Sequence, residues 1–295
     1  MDAKAIAGRV WPGRELAVEP LGGGITNHNF RIQFDGERFV LRIGGKDTDL
    51  LGIDRRAEYA AARAAADVQV GPEVVAFVEP EGYLVTRFVE GAPVPPEELR
   101  RPEELRETAA LLRRVHEGPS FPVRFDAFRV VEAYRATAIA HGVQVPADYE
   151  AAKARADEIE RTLGPQPAKP CHNDLLNANF IRSPDGIRVV DWEYAGMGDR
   201  FFDLANFSNH HDLSVAGVES LLEAYFGAST AGSVARVQLM RLMASFWEGM
   251  WGVIQATCSE LDFDFLGYAD EYLGKVRSSL DDPDFPRWLE DARAG

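Results

Sequence analysis

Polar and apolar residues alternate along Asn29-Phe30-Arg31-Ile32-Gln33-Phe34, and Phe39, Leu41 and Ile43 recur at every second position after the turn residues Asp35-Gly36. A period of two on both sides of an Asp-Gly turn predicts a β-hairpin. It puts Phe39, Leu41 and Ile43 on one face and Val40 and Arg42 on the other. Residues 74–78 and 83–89, parted by Glu79-Pro80-Glu81-Gly82, predict a second hairpin, and residues 16–19 the start of a further strand after the turn Trp11-Pro12-Gly13. Between the hairpins, Asp54 precedes the alanine-rich run 55–66, which predicts a strong helix with Asp54 as its N-cap. The period changes after Ala92-Pro93-Val94-Pro95-Pro96. Residues 102–117 place Leu105, Ala109, Leu112 and Val115 on one helical face, and 126–140, 147–163 and 231–259 also read as helices. The pattern predicts an α+β chain in two parts. Residues 1–91 form an antiparallel sheet of five strands with one helix, and residues 92–295 form a mostly helical part.

One stretch interrupts the helical part. After Gly164-Pro165-Gln166-Pro167 comes Cys171-His172-Asn173-Asp174-Leu175-Leu176-Asn177-Ala178-Asn179-Phe180, with the form H-x-D-x-x-x-x-N. Residues 180–182 and 187–192 flank the turn Ser183-Pro184-Asp185-Gly186, so a hairpin returns Asp191 beside Asn179. Phosphoryl transfer needs a carboxylate to take the proton of the attacking hydroxyl and oxygen ligands to hold magnesium against phosphates. Asp174 is placed for the first task, and Asn179 and Asp191 for the second. The loop taken alone also fits an ordinary polar turn before a hairpin. The same two-sided reading applies to Gly22-Gly23-Gly24, which is a plain turn by itself and a phosphate-approaching loop beside such a site, with Thr26 and Asn27 as added donors.

His172-Asn173-Asp174 through Asn179, Asp191-Trp192-Glu193-Tyr194 and Arg200-Phe201-Phe202-Asp203-Leu204-Ala205-Asn206 together resemble the choline/ethanolamine kinase family, within the aminoglycoside-phosphotransferase-like kinases. The resemblance runs from about Leu21 to about Leu273. It implies a bilobal protein-kinase-like fold that uses ATP and Mg2+. Gly24, Thr26 and Asn27 would lie over the phosphates, and the main chain of Phe88, Val89 and Glu90 would meet the adenine. Arg42 stands where protein kinases carry a lysine on the third strand, with Glu58 as its helix partner. Asp203 is expected to cap its helix and order the catalytic loop. The implied acceptor is a small amino-alcohol such as choline or ethanolamine, bound through Asp174, Glu193, Tyr194, Trp251 and Tyr268. Glu248, also expected to bind the substrate, stands where the family usually has another tryptophan, which implies a mixed aromatic and acidic cation site that favours a protonated amine over a trimethylammonium; His210 stands near where the family often has a glutamate. Met240, Met243 and Trp247 read as core. A kinase for thiamine or an aminoglycoside is an alternative. A pseudokinase scaffold is a remote one, because Asp174, Asn179 and Asp191 are all present.

Composition adds exclusions. A formal charge of −15 argues against nucleic acid and anionic membrane as partners. It suits a cationic substrate only slightly. No apolar run approaches the roughly 20 residues needed to span a bilayer, and the first residues lack the apolar core of a signal peptide. Cys171 and Cys258 form neither a disulfide framework nor a zinc-spaced pair, so a reducing cytoplasm is the expected compartment. The sequence does not give the oligomeric state.

Overall fold

The structure, a computed structural model, describes residues 2–22 and 26–294, so Gly24 lies outside the described residues. The chain opens with α1 (Ala3–Val10), then β1 (Ala17–Leu21), β2 (Asn27–Phe34), β3 (Glu37–Gly44), a 3-10 turn (Thr48–Leu51), α2 (Arg55–Asp67), β4 (Val74–Val78) and β5 (Tyr83–Arg87). The five strands form one antiparallel sheet in the order β1-β2-β3-β5-β4. Period-two patterning sets its two faces. Phe39, Leu41 and Ile43 are buried on the outer face under Ala3, Ile6 and Ala7 of α1. Trp11 extends that cover, its ring centroid 5.0 Å from Phe34 and 4.7 Å from Phe39. The sequence pattern announces only one helix in this lobe. The second, α1, is short and buries only Ala3, Ile6 and Ala7, too little apolar surface for its period to stand out. On the inner face lie Val40, Arg42 and α2, whose N-cap Asp54 accepts from Arg56 N and Ala57 N as the sequence predicts.

The chain then crosses to the helical lobe through β6 (Ala92–Pro93), followed by α3 (Pro96–Leu99), α4 (Pro102–His116), α5 (Ala127–Ala140) and α6 (Tyr149–Leu163). Next come β7 (Lys169–Cys171), β8 (Phe180–Ser183), β9 (Gly186–Val189) and β10 (Gly196–Gly198). The last five helices are α7 (Arg200–His210), α8 (Val215–Phe226), α9 (Ala231–Cys258), α10 (Phe265–Leu280) and α11 (Phe285–Ala294). Two small sheets hold the central loops: β6-β8-β9, and β10 against β7. Helix α9, 28 residues long, is the spine of this lobe, packing against α5, α7, α10 and α11. Gly249 and Gly252 let α10 approach closely, since a Cβ on either would meet Leu273 Cγ at 2.8 Å or Ala269 Cβ at 3.0 Å. Among the described residues no helix is long and apolar enough to cross a membrane.

The crossing depends on Gly91. Its φ is +148°, and a Cβ there would stand 2.0 Å from the carbonyl oxygen of Arg182. Gly91→Ala should therefore combine backbone strain with a clash against β8, destabilising the protein by about 1–3 kcal/mol or more. Urea denaturation should show a lower midpoint, and an unchanged midpoint would mean that the crossing tolerates a side chain.

Candidate active site

The loop between β7 and β8 is held from below by α7. Asp203 is fully buried. Its Oδ2 accepts from the backbone N–H of His172 at 2.9 Å and its Oδ1 from that of Asn173 at 2.7 Å. Its Oδ2 also bonds His116 Nε2 at 2.9 Å, and His116 Nδ1 contacts the Tyr225 hydroxyl at 2.6 Å. One turn further along α7, Asn206 Oδ1 accepts from Leu175 N at 2.6 Å. Asp203 thus orders the loop as expected, but it does not cap α7. Asp199 does, accepting from Phe201 N at 2.9 Å. The Asp203 carboxylate is already engaged by loop amides, which only a residue inside the helix can reach.

Within the loop, Asn173 sits at φ +68° and donates its Nδ2 to the Tyr194 carbonyl at 2.9 Å. Asp174 N donates to His172 Nδ1 at 3.2 Å, which assigns the ring proton to Nε2, bonded to the Val190 carbonyl at 2.9 Å. Burial lowers the His172 pKa, so the ring is neutral. Asn179 donates its Nδ2 to the Asp174 carbonyl at 2.9 Å.

The β8–β9 hairpin brings Asp191 back as the spacing predicts. Asp191 adopts φ +70°, and its carboxylate bonds Arg42, which also meets Glu58 Oε1 at 3.1 Å. The expected Arg42–Glu58 pair is thus present, with Asp191 as a third member. Arg55, which the sequence reading left as a helix residue, completes the cluster. It bonds Glu58 Oε2 at 2.7 Å, Glu193 Oε2 at 3.2 Å and Asn27 Oδ1 at 2.9 Å. Its signal was available: an arginine just after an N-cap, three residues before a glutamate. Burial works against the Arg42 charge, but Asp191 and Glu58 more than offset it and hold the guanidinium above its usual value. Burial, reinforced by Asp191, pushes the Glu193 carboxyl up to about 7. Burial, followed by the charges of Glu248, Asp191 and Glu193, pushes Asp174 well above the ordinary carboxylate range.

Two cavities meet at this cluster. The larger, about 320 Å³, lies between the lobes, with Val40, Leu84, Phe88, Val89 and Trp192 among its walls and Arg42 and Glu58 on its polar side. The Glu90 side chain turns outward to Arg38 at 2.8 Å. The smaller, about 70 Å³, is lined by Asp174, Glu193, Tyr194, Trp247, Glu248, Trp251 and Tyr268. Ala178, Asn179 and Asp191 form part of the wall of both. Thr26 and Asn27, expected over the phosphates, line the smaller cavity instead. Asn27 Nδ2 donates to Glu193 Oε2 at 2.8 Å, and Gln255 Nε2 to Thr26 Oγ1 at 3.4 Å, so both side chains tie the lobes together. Trp247 is buried as expected of core, yet it too faces this cavity, four residues before Trp251 on the same helix. Trp251 Nε1 donates to the Tyr194 hydroxyl at 2.6 Å, and the Trp251 and Tyr268 rings lie 5.3 Å apart. Glu248, on the same stripe, accepts from the Tyr268 hydroxyl at 2.6 Å and from His210 Nε2 at 2.8 Å. The arrangement is an aromatic and acidic chamber suited to a small cation, with the Asp174 carboxylate in its wall.

Asp203→Ala should leave the amides of His172 and Asn173 and the His116 ring without their partner. A destabilisation of about 3 kcal/mol in urea is expected, with turnover falling further than loss of folded protein explains. Wild-type turnover from the folded fraction would show that the loop holds its own shape.

Residues 17–238 match the phosphotransferase enzyme family. Protein LicA of Haemophilus influenzae is 30% identical over 213 residues, which are 69% of this chain and 61% of LicA, so the chain spans less than two thirds of that relative. Ethanolamine kinase 1 of Mus musculus is 25% identical over 309 residues, covering 88% of this chain and 82% of its own. The crystal structure of a choline/ethanolamine kinase family protein from Mesorhizobium loti superposes with a TM-score of 0.83 at 32% identity, covering 99% of both chains. The match to the phosphotransferase family takes in the catalytic loop, the β8–β9 hairpin and all of α7, and the Mesorhizobium loti structure matches end to end: the chain belongs to the phosphotransferase enzyme family, and within it to the choline/ethanolamine kinases.

Proposed function

We propose that this enzyme transfers the γ-phosphoryl group of ATP to the hydroxyl of a small amino-alcohol such as choline or ethanolamine, with Mg2+ as its metal and with its lobes divided at Gly91. One observation carries the reading. The larger cavity and the smaller one share the wall that holds Asn179 and Asp191, and Asp174 lines the smaller cavity beside it. Phosphate donor and hydroxyl acceptor would meet across that wall. The names of the relatives, ethanolamine kinase and choline/ethanolamine kinase, agree with a cationic alcohol. A chamber of about 70 Å³ does not suit a polyhydroxylated antibiotic.

In this reading the main chain at Phe88 and Val89 receives the adenine, while Gly24, with the rest of its loop, approaches the phosphates. Arg42, held by Glu58 and Asp191, offers its guanidinium to phosphate oxygens. The donor set fits magnesium. Asp191 supplies a carboxylate, and Asn179, whose nitrogen is bonded to the Asp174 carbonyl, supplies an amide oxygen; both are hard ligands. When bound, the metal neutralises charge on the phosphate oxygens. Asp174 accepts the proton of the acceptor hydroxyl as the acceptor oxygen bonds to phosphorus and the bond to the ADP oxygen breaks. The acceptor's cation rests against Glu248 and the faces of Tyr194, Trp251 and Tyr268.

Asp174→Asn should lower kcat by about 10² or more with KM for ATP nearly unchanged, measured by coupled ADP release; near-normal turnover would remove Asp174 from the role of base. The pH dependence follows from its raised pKa. The base must be ionised, so activity is lost as pH falls through that raised value. The acid limb of kcat/KM should therefore lie above the usual carboxylate value of about 3.9. A limb at the usual value would mean that the titrating group is not Asp174 in this buried setting.

A further inference from the structure

Helix α7 ends on His210, and that ring links three helices. His210 Nε2 bonds Glu248 Oε1 on α9 at 2.8 Å, and Nδ1 faces the Tyr272 hydroxyl on α10 at 3.1 Å. Tyr268, one turn before Tyr272, donates to the other oxygen, Glu248 Oε2, at 2.6 Å. The side chains of His210 and Glu248 are only 8% and 5% exposed, so this geometry is enclosed. A carboxylate only accepts hydrogen bonds, so Nε2 carries a ring proton, and in the neutral ring Nδ1 then accepts from the Tyr272 hydroxyl. Tyr272 thereby fixes the tautomer that lets His210 serve Glu248.

We propose that His210, braced by Tyr272, is a positioning residue that sets acceptor preference: it holds the Glu248 carboxylate so that the site grades amino-alcohols by the number of N–H bonds their cation can donate. The inference rests on the amino-alcohol reading above. A carboxylate offers about four lone-pair positions. His210 and Tyr268 occupy one on each oxygen, and Asn206 Nδ2 makes a longer contact to Oε1 at 3.5 Å. The second position on Oε2 is left open and that on Oε1 only weakly held, for a ligand in the cavity that Glu248 lines. The ligand atoms of Asp174, His210 and Glu248 all lie within 4.8 Å of one another, so a short molecule reaches Asp174 with its hydroxyl and Glu248 with its cation. A primary ammonium fills the remaining positions with charge-assisted hydrogen bonds. A trimethylammonium has no N–H and keeps only charge and aromatic contact. Without His210, Glu248 Oε1 keeps only the long 3.5 Å contact from Asn206, and its carboxylate is freer to rotate away from the substrate.

The test is steady-state kinetics with ethanolamine carrying zero, one, two or three N-methyl groups, the last being choline. For the wild type, kcat/KM should fall stepwise with each methyl. His210→Leu should raise KM for ethanolamine about tenfold, leave KM for ATP and for choline within about twofold, and so flatten the gradient. His210→Gln, which keeps a donor for Glu248, should restore most of it. Tyr272→Phe, which leaves the His210 ring in place but unbraced, should flatten it in part and covers the case in which His210→Leu does not fold. A uniform KM change across the four acceptors, or a gradient that survives both His210→Leu and Tyr272→Phe, would overturn the inference while leaving the amino-alcohol reading intact. Turnover of none of the four by the wild type would reject both.

Discussion

A carboxylate at zero exposure has to be answered by donors, and Asp203 is answered by two loop amides and an imidazole. Burying that charge is unfavourable unless each lone pair finds a partner. The amides of His172 and Asn173 satisfy the need only in the backbone path that makes the next residue, Asp174, face the cavity. The left-handed conformation of Asn173 is part of the same bargain, stabilised by its bond to the Tyr194 carbonyl. Helix α4, through His116, and helix α7, through Asp203, are therefore joined to the loop by one group. The position of Asp174 follows from the satisfaction of a carboxylate that lines neither cavity.

The interior around Asp174 is electrostatically one-sided. Arg42 and Arg55 answer Glu58, Asp191 and Glu193 at the boundary of the lobes. On the other side of Asp191, Asp174 and Glu248 line a cavity that also has Tyr194, Trp247, Trp251 and Tyr268 in its walls. Crowded, buried carboxylates raise one another's pKa, which is the pattern at Asp174 and Glu193. Such a chamber is relieved by a bound cation, so its electrostatics favour binding before any specific contact is counted. Asp191 also pairs with Arg42 across the cleft, which couples the sheet lobe to the β8–β9 hairpin.

Much of this was legible in the sequence, for identifiable reasons. Period-two runs gave the hairpins, because half-buried strands must alternate. The H-x-D-x-x-x-x-N spacing and the hairpin after it gave the convergence of Asp174, Asn179 and Asp191, because these contacts are local. Arg42 and Glu58 came from the kinase resemblance. What stayed hidden depends on packing between distant segments. Arg55 reads as any helix-start arginine until Glu193, 138 residues away, is placed beside it. Trp247 reads as core because it is core, and only the approach of Tyr194 and Glu248 shows that one edge meets a cavity. Asp203 and Asp199 are four residues apart, and pattern alone does not say which caps the helix and which faces the loop. The partnership of His210 with Glu248 needs the crossing of two helices.

Helix α7 carries Asp203, Asn206 and His210 along one stripe, at steps of three and four residues. Its first turn fixes the loop that bears Asp174, and its last residue fixes the Glu248 carboxylate that lines the smaller cavity. The stripe spans about 10 Å at about 1.5 Å per residue. In the proposed reading, this rigid helix would act as a gauge for the length of the acceptor, measured from hydroxyl to nitrogen. Changing the cavity walls can alter which cation is welcome. In the proposed reading, an alcohol with a longer spacer would require a shift of backbone, because Asp203 and His210, which hold the Asp174 loop and Glu248, belong to the same rod.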